Sequence, residues 1–142
     1  MTERIAEVSR KTAETDIQIE FNIDGSGQYS VETGIYIVDH FLSQLAKHGL
    51  FDIKISAAGD NPHHIVEDIA ICLGKVFNKA LGSKKGIIRM GHSIVPMDEA
   101  LALVAVDIGG RAYSSIDVSF TKSNIDGLDS DLVRHFLESF TS

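Results

Sequence analysis

Two stretches of this chain occur twice, and that repetition limits what it can fold into. Asn22-Ile-Asp-Gly-Ser-Gly-Gln-Tyr-Ser30 resembles Val106-Asp-Ile-Gly-Gly-Arg-Ala-Tyr-Ser114, and Asp39-His-Phe-Leu-Ser-Gln-Leu45 resembles Arg134-His-Phe-Leu-Glu-Ser-Phe140. Each copy reads as a hairpin followed by a helix with a histidine in its first turn, His40 in one and His135 in the other. A duplicated supersecondary unit leaves this kind of self-similarity. The first unit goes on to a further strand and helix, and the second reaches Ser142 before its own, so by this count a strand and a helix are missing and the second repeat is incomplete at the C-terminus. The reading is an α+β chain of two half-repeats, 1–82 and 83–142, in one compact domain.

The local patterns fill in that frame. Ile17-Gln-Ile-Glu-Phe-Asn-Ile23 alternates with period two, as a half-buried strand does. Asp24-Gly-Ser-Gly27 reads as a turn returning the chain as a partner strand over 28–33. From Ile37 the period becomes helical through Val38, Phe41, Leu42 and Leu45, with Lys47 and His48 in the last turn and Gly49 predicted at the C′ position. Leu50 to Ser56 alternates again. In the second copy, a strand over 100–108, a Gly109-Gly-Arg111 turn and a strand over 113–120 suggest another hairpin. After a polar loop over 121–127, a helix capped by Asp129 or Ser130 carries Leu132, Val133, Phe136, Leu137 and Phe140.

The densest chemistry lies in Gly59-Asp-Asn-Pro-His-His-Ile-Val-Glu-Asp-Ile69. His63 and Glu67 stand at i,i+4 and His64 and Glu67 at i,i+3, spacings that set side chains side by side on a helix. The two histidines diverge by roughly 100°, which suits two metal ions better than one. Imidazole with carboxylate fits many divalent ions. The competing reading is a pair of N-terminal histidines beside carboxylates that favour the helix dipole. His40, mid-helix beside Asp39, is either a solvated residue or a ligand. An inverted zinc-protease motif is set aside, because Asp68 stands where that motif needs its second histidine.

Composition narrows the function classes. A formal net charge of -7 and a pI near 5.2 argue against nucleic acid as a partner. The single Cys72 excludes a disulfide framework and fits a reduced setting. No apolar run approaches a membrane span, and Met1-Thr-Glu-Arg4 lacks the form of a signal peptide, so a cytoplasmic protein without membrane partners is expected.

Across nearly its whole length the chain resembles the imidazoleglycerol-phosphate dehydratase family, a lyase family of histidine biosynthesis. The matching stretches are Arg10-Lys-Thr-Ala-Glu-Thr15, Val38-Asp-His-Phe-Leu-Ser-Gln-Leu45, Lys47-His-Gly-Leu-Phe51, His63-His-Ile-Val-Glu-Asp68, Lys85-Gly-Ile-Ile-Arg89, Pro96-Met-Asp-Glu-Ala-Leu101, Val106-Asp-Ile-Gly-Gly-Arg-Ala-Tyr113 and Leu132-Val-Arg-His-Phe136. The resemblance implies duplicated ββαβα half-repeats of the ribosomal protein S5 domain 2-like type. It also implies trimers that assemble into a 24-mer, and manganese held between subunits, two ions per complete site. The implied ligands are His40, His63, His64, Glu67 and His135. Glu14, Glu67 and Asp98 are the implied catalytic residues. Gln44 and Glu99 would line the substrate pocket, and Arg89 and Arg111 would bind its phosphate, since guanidinium forks onto phosphate oxygens.

Two departures stand out. Gly59-Asp-Asn-Pro62 is shorter than the family's acidic segment at this point. The family carries another His-His-x-x-Glu helix in its second half, and this sequence reaches Ser142 before it, so three expected ligands and some phosphate-binding residues are absent. The alternative expectation is therefore a truncated or metal-free form that oligomerises without catalysing.

Overall fold

A computed structural model describes residues 4–142. The chain divides into two compact units, Met1–Gly82 together with Ser114–Ser142, and Ser83–Tyr113. The path leaves the first unit after Gly82 and re-enters it at Ser114.

The first unit is a four-stranded sheet carrying helices. Strands β1 (Ile5–Lys11) and β2 (Thr15–Asn22) form an antiparallel hairpin in which Ile5 faces Asn22 and Lys11 faces Asp16. Strand β4 (Asp52–Gly59) pairs antiparallel with the other side of β2, and β3 (Tyr29–Glu32) runs parallel to β4, giving the order β1-β2-β4-β3. Helix α1 (Tyr36–Gly49) makes the crossover from β3 to β4, as a parallel pair requires. Helix α2 (Pro62–Leu81) packs on β1, β2 and β4, and α3 (Asp131–Thr141) packs on α2.

The period-two pattern of β2 puts Ile17, Ile19 and Phe21 under the helices, where they meet Ile53 and Ile55 of β4. From α2 come Ile65, Val66, Ile69, Cys72, Leu73 and Val76, recurring at helical spacing on one face. Burying each large aliphatic side chain contributes about 1.5–3 kcal/mol. Truncating the fully buried Ile69 to Ala would cost about 2–5 kcal/mol. Phe77 of α2 meets Phe21 edge-on at 6.0 Å and Phe140 of α3 at 6.4 Å, joining sheet, helix and helix in one apolar seam. A Cβ at Gly74 would meet the Phe140 carbonyl of α3, so the two helix backbones approach closely there.

Both predicted hairpins are misplaced by one strand. The segment 28–33 does not return beside β2, because β1 and β4 occupy both sides of that strand. Asp52 Oδ1 accepts from Ser26 N at 2.8 Å and Gln28 N at 2.9 Å, and Ile53 N donates to Gln28 O at 2.9 Å. These bonds draw the segment onto β4. In the second unit, β6 (Ala100–Asp107) pairs antiparallel with β5 (Met90–Met97), not with 113–120, which carries no strand. Asp98, at φ 49, and Glu99 make the two-residue turn that closes this ladder, a conformation matching the twist of paired strands. Each copy of the repeat thus has its hairpin just before the matched residues: β2 ends at Asn22 and β6 at Asp107.

Smaller corrections concern helix ends. Gly49 is the last residue of α1, and Leu50 takes the left-handed position, φ 56. The glycine is needed for space, since a Cβ there would meet the Phe51 ring at 2.5 Å. The loop over 121–127 holds part of a small ladder of β7 (Asn124–Ile125) and β8 (Leu128–Asp129). No helix among the described residues is long and apolar enough to cross a membrane.

Candidate metal and proton-transfer site

The first turns of α2 form because Asn61 ends β-region backbone with a side-chain oxygen that accepts from His64 N at 3.1 Å, and Pro62 follows at the first helical position. This cap sets His63 and His64 one residue apart on the opening turn. Their rings stand at 83° to each other, 5.9 Å between centroids, and they join separate groups.

His63, Glu67 and His135 form the first group, with candidate ligand atoms all within 4.8 Å of one another. His63 Nε2 lies 3.9 Å and His135 Nε2 3.7 Å from the same Glu67 oxygen. The two imidazoles stack at 4.9 Å. His135 Nε2 is buried without a hydrogen-bond partner. His135 comes from α3, held on α2 by the close approach at Gly74, so residues from both copies of the repeat meet here.

Glu14, Asp60 and His64 form the second group. His64 Nδ1 stands 2.8 Å from Asp60 Oδ1 and 3.8 Å from Glu14 Oε2. The hydrogen bond to Asp60, and then the charges of Asp60, Glu14 and Glu67, hold the His64 imidazole above its ordinary range against some desolvation. The same bond holds the Asp60 carboxyl below its ordinary range.

The Arg10-Lys-Thr-Ala-Glu-Thr15 stretch explains how Glu14 comes to be here. It is the turn of the β1–β2 hairpin. Thr12 Oγ1 accepts from Glu14 N at 3.1 Å and Thr15 N at 3.0 Å, fixing the turn, and Glu14 O accepts from Asp60 N at 3.0 Å. Asp68, one residue past Glu67, turns away from both metal-capable groups. It is buried and accepts from Arg10 Nε at 2.8 Å and from the Thr15 hydroxyl.

The other expected residues join neither group among the described residues. His40 is the fifth residue of α1, as His135 is of α3, and it joins neither group among the described residues. It borders a shallow hollow with Tyr29, Ser30, Tyr36, Asp39 and Ser43. Gln44 Oε1 lies 3.0 Å from His48 Nε2 on the outside of α1. Asp98, Glu99, Arg89 and Arg111 belong to the Ser83–Tyr113 unit. Within it, Arg89 forks onto Asp107, Nε at 2.5 Å and a terminal nitrogen at 2.8 Å. This contact raises the Arg89 pKa and holds Asp107 below the usual carboxylate range.

Sequence reasoning passed over Asp60 and Asn61. The asparagine carried a readable signal, an N-cap residue directly before proline. The aspartate carried none, since its reach to His64 depends on the path of the short loop.

Comparison with known proteins bears on the family and the fold. A family model for imidazoleglycerol-phosphate dehydratase matches residues 33–142. A Dehalococcoides mccartyi protein described as imidazoleglycerol-phosphate dehydratase is 56% identical over 140 residues, covering 99% of this chain and 71% of the relative. One from Clostridium botulinum is 52% identical over 142 residues, covering 98% of this chain and 72% of the relative. The crystal structure of the Staphylococcus aureus enzyme superposes with a TM-score of 0.87 at 31% identity, over 96% of this chain and 77% of the other. That of the Pyrococcus furiosus enzyme, in complex with (S)-C348, gives 0.77 at 36% identity, over 94% and 72%. Matching over this much of its length, the chain belongs to the imidazoleglycerol-phosphate dehydratase family.

Proposed function

We propose that this chain dehydrates imidazole glycerol phosphate to imidazole acetol phosphate, a hydro-lyase step of histidine biosynthesis, with manganese as its metal. The observation that carries the reading is His135 Nε2, buried and unpartnered beside Glu67 and His63. A buried imidazole nitrogen without a partner is costly, and a divalent cation between two imidazoles and a carboxylate would satisfy it. The residues present therefore fit a metal. His63, Glu67 and His135 would hold one ion and His64 would help hold the second, two per complete site.

The reaction breaks the C–O bond next to the imidazole ring and a C–H bond on the neighbouring carbon. Water leaves, and the enol becomes the ketone. Bound manganese would supply a Lewis acid for the substrate imidazole. Glu14 moves the proton, a role supported by its exposed carboxylate on a hydrogen-bonded turn beside His64. Asp98 shares the acid-base work, and Gln44 and Glu99 contact the substrate. Arg89 and Arg111 take the phosphate, for which the Arg89 fork would exchange Asp107 for phosphate oxygens.

Assembly into trimers and a 24-mer completes this reading. His40 supports it, because it joins neither group among the described residues and would find co-ligands on another copy. A cytoplasmic location fits the buried free thiol of Cys72.

The test is manganese content and dehydratase turnover of the wild-type protein and of His64→Ala. Loss of turnover and of the second of the two ions is expected in the variant, and near-normal turnover would sink the assignment. An assembled wild type without turnover, with or without bound manganese, would establish the truncated or metal-free, non-catalytic alternative.

A further inference from the structure

We propose that Asp60 is a positioning residue that sets the tautomer of His64, keeping the proton on Nδ1 so that Nε2 presents its lone pair to a metal. The inference rests on the metal reading above and concerns a residue outside the implied ligand set.

Two neighbours compete for one ring nitrogen. Asp60 Oδ1 lies 2.8 Å and Asn61 Nδ2 lies 2.9 Å from His64 Nδ1. In a neutral imidazole this nitrogen either donates its hydrogen or accepts with its lone pair, so it can satisfy only one of them at a time. Pairing with Asn61 would put the ring hydrogen on Nε2 and remove that nitrogen as a ligand. Pairing with Asp60 leaves Nε2 free. The Asn61 amide cannot simply turn around, because its oxygen accepts from His64 N at 3.1 Å as the helix cap. The carboxylate prevails because a charge-assisted hydrogen bond is about twice as strong as a neutral one.

The loop holds Asp60 to this task. Asp60 N donates to Glu14 O at 3.0 Å, tying its backbone to the β1–β2 turn. A Cβ at Gly59 would meet Ile65 Cγ1 at 2.7 Å and Glu14 O at 3.0 Å, so the preceding residue is pinned as well. With only Asn61 and Pro62 between Asp60 and the histidines, its carboxylate reaches back one helical turn to His64. Carboxylates that orient metal-bound imidazoles in this way typically change metal affinity by about 10–100-fold.

The experiment is nitrogen-15 NMR of the histidine rings in full-length, metal-free protein, with Mn2+ titration of the same samples. Because the His64 pKa is raised, the spectra are taken at rising pH until its ring signals stop moving, where the imidazole is neutral. Wild type should show His64 protonated at Nδ1. Asp60→Ala should move the hydrogen to Nε2 and weaken Mn2+ binding about 10–100-fold. Asn61→Ser, which keeps a capping oxygen and removes the competing amide, should retain the Nδ1 hydrogen. Unchanged ring signals of His48 and His92 control for folding. Bound Mn2+ with tautomer and affinity unaltered in Asp60→Ala would overturn this inference alone. A wild type that binds no Mn2+ would overturn the metal reading and this inference with it.

Discussion

Arg10 reaches from the end of β1 to Asp68 on α2, its Nε 2.8 Å from Oδ1, and this pair ties the hairpin turn bearing Glu14 to the helix bearing the histidines. Asp68 is the buried partner, with an 11% exposed side chain, whereas that of Arg10 is 38% exposed. Replacing Asp68 by Ala strips Arg10 and Thr15 of their common acceptor. Removing one member of a buried pair costs about 3–5 kcal/mol. Arg10 can regain water here, so about 2–3 kcal/mol is expected, read as a lower urea midpoint with unchanged slope. Turnover should fall as well, because Glu14 loses its fixed position.

Gly74→Ala tests the helix contact that brings His135 to Glu67. Alanine favours a helix by about 1 kcal/mol over glycine. Against this, the added methyl meets the Phe140 carbonyl, and overpacking of that kind costs about 1–3 kcal/mol. Net destabilisation with weaker Mn2+ binding is expected. A variant more stable than wild type would show that the helices are not so close.

Acid stability should depend on Asp52. The backbone amides of Ser26 and Gln28, then the Ser26 hydroxyl, hold its carboxyl below the ordinary range against desolvation. A carboxylate depressed in the folded state stabilises it above the unfolded pKa of about 3.9, and that contribution is lost as pH falls through the folded value. Asp52→Asn should therefore be less stable than wild type at neutral pH, and the difference should shrink on acidification below about pH 4. Urea midpoints across that range measure it.

Arg89→Lys keeps the positive charge and loses the fork. If Arg89 takes the substrate phosphate, KM should rise about tenfold with kcat changed far less, since one charge-assisted contact is worth roughly 1.5–3 kcal/mol. Steady-state kinetics separate this from a loss of both constants, which would point to a role in chemistry.

What the sequence disclosed followed the range of the interactions. His63, His64 and Glu67 were legible because helical spacing alone sets their neighbours, and the doubled His-Phe-Leu marked His135 without saying what it would meet. Strand partners were not legible. The alternation of residues 17–23 fixes which face is buried, yet the same alternation suits β1, β3 or β4 as a neighbour. The burial of Asp68 has a physical reason that the sequence does contain: it lies on the apolar stripe with Ile65 and Cys72, four residues before the latter, so the helix turns it toward the sheet. Its partners Arg10 and Thr15 are more than fifty residues away.

The departure of the chain at Gly82 and its return at Ser114 also bear on the order of events in folding. Helices α2 and α3 are separated by the 49 residues of 82–130, so their contact must follow a long-range ring closure. The entropy of closing such a segment is about 3 kcal/mol, from (3/2)RT ln n without its constant. The sheet and α2, contiguous over 5–81, face no such delay. They should acquire hydrogen-exchange protection first, with α3 docking afterwards on a surface already formed. In refolding, the nitrogen of His135 is then the last of its group to arrive.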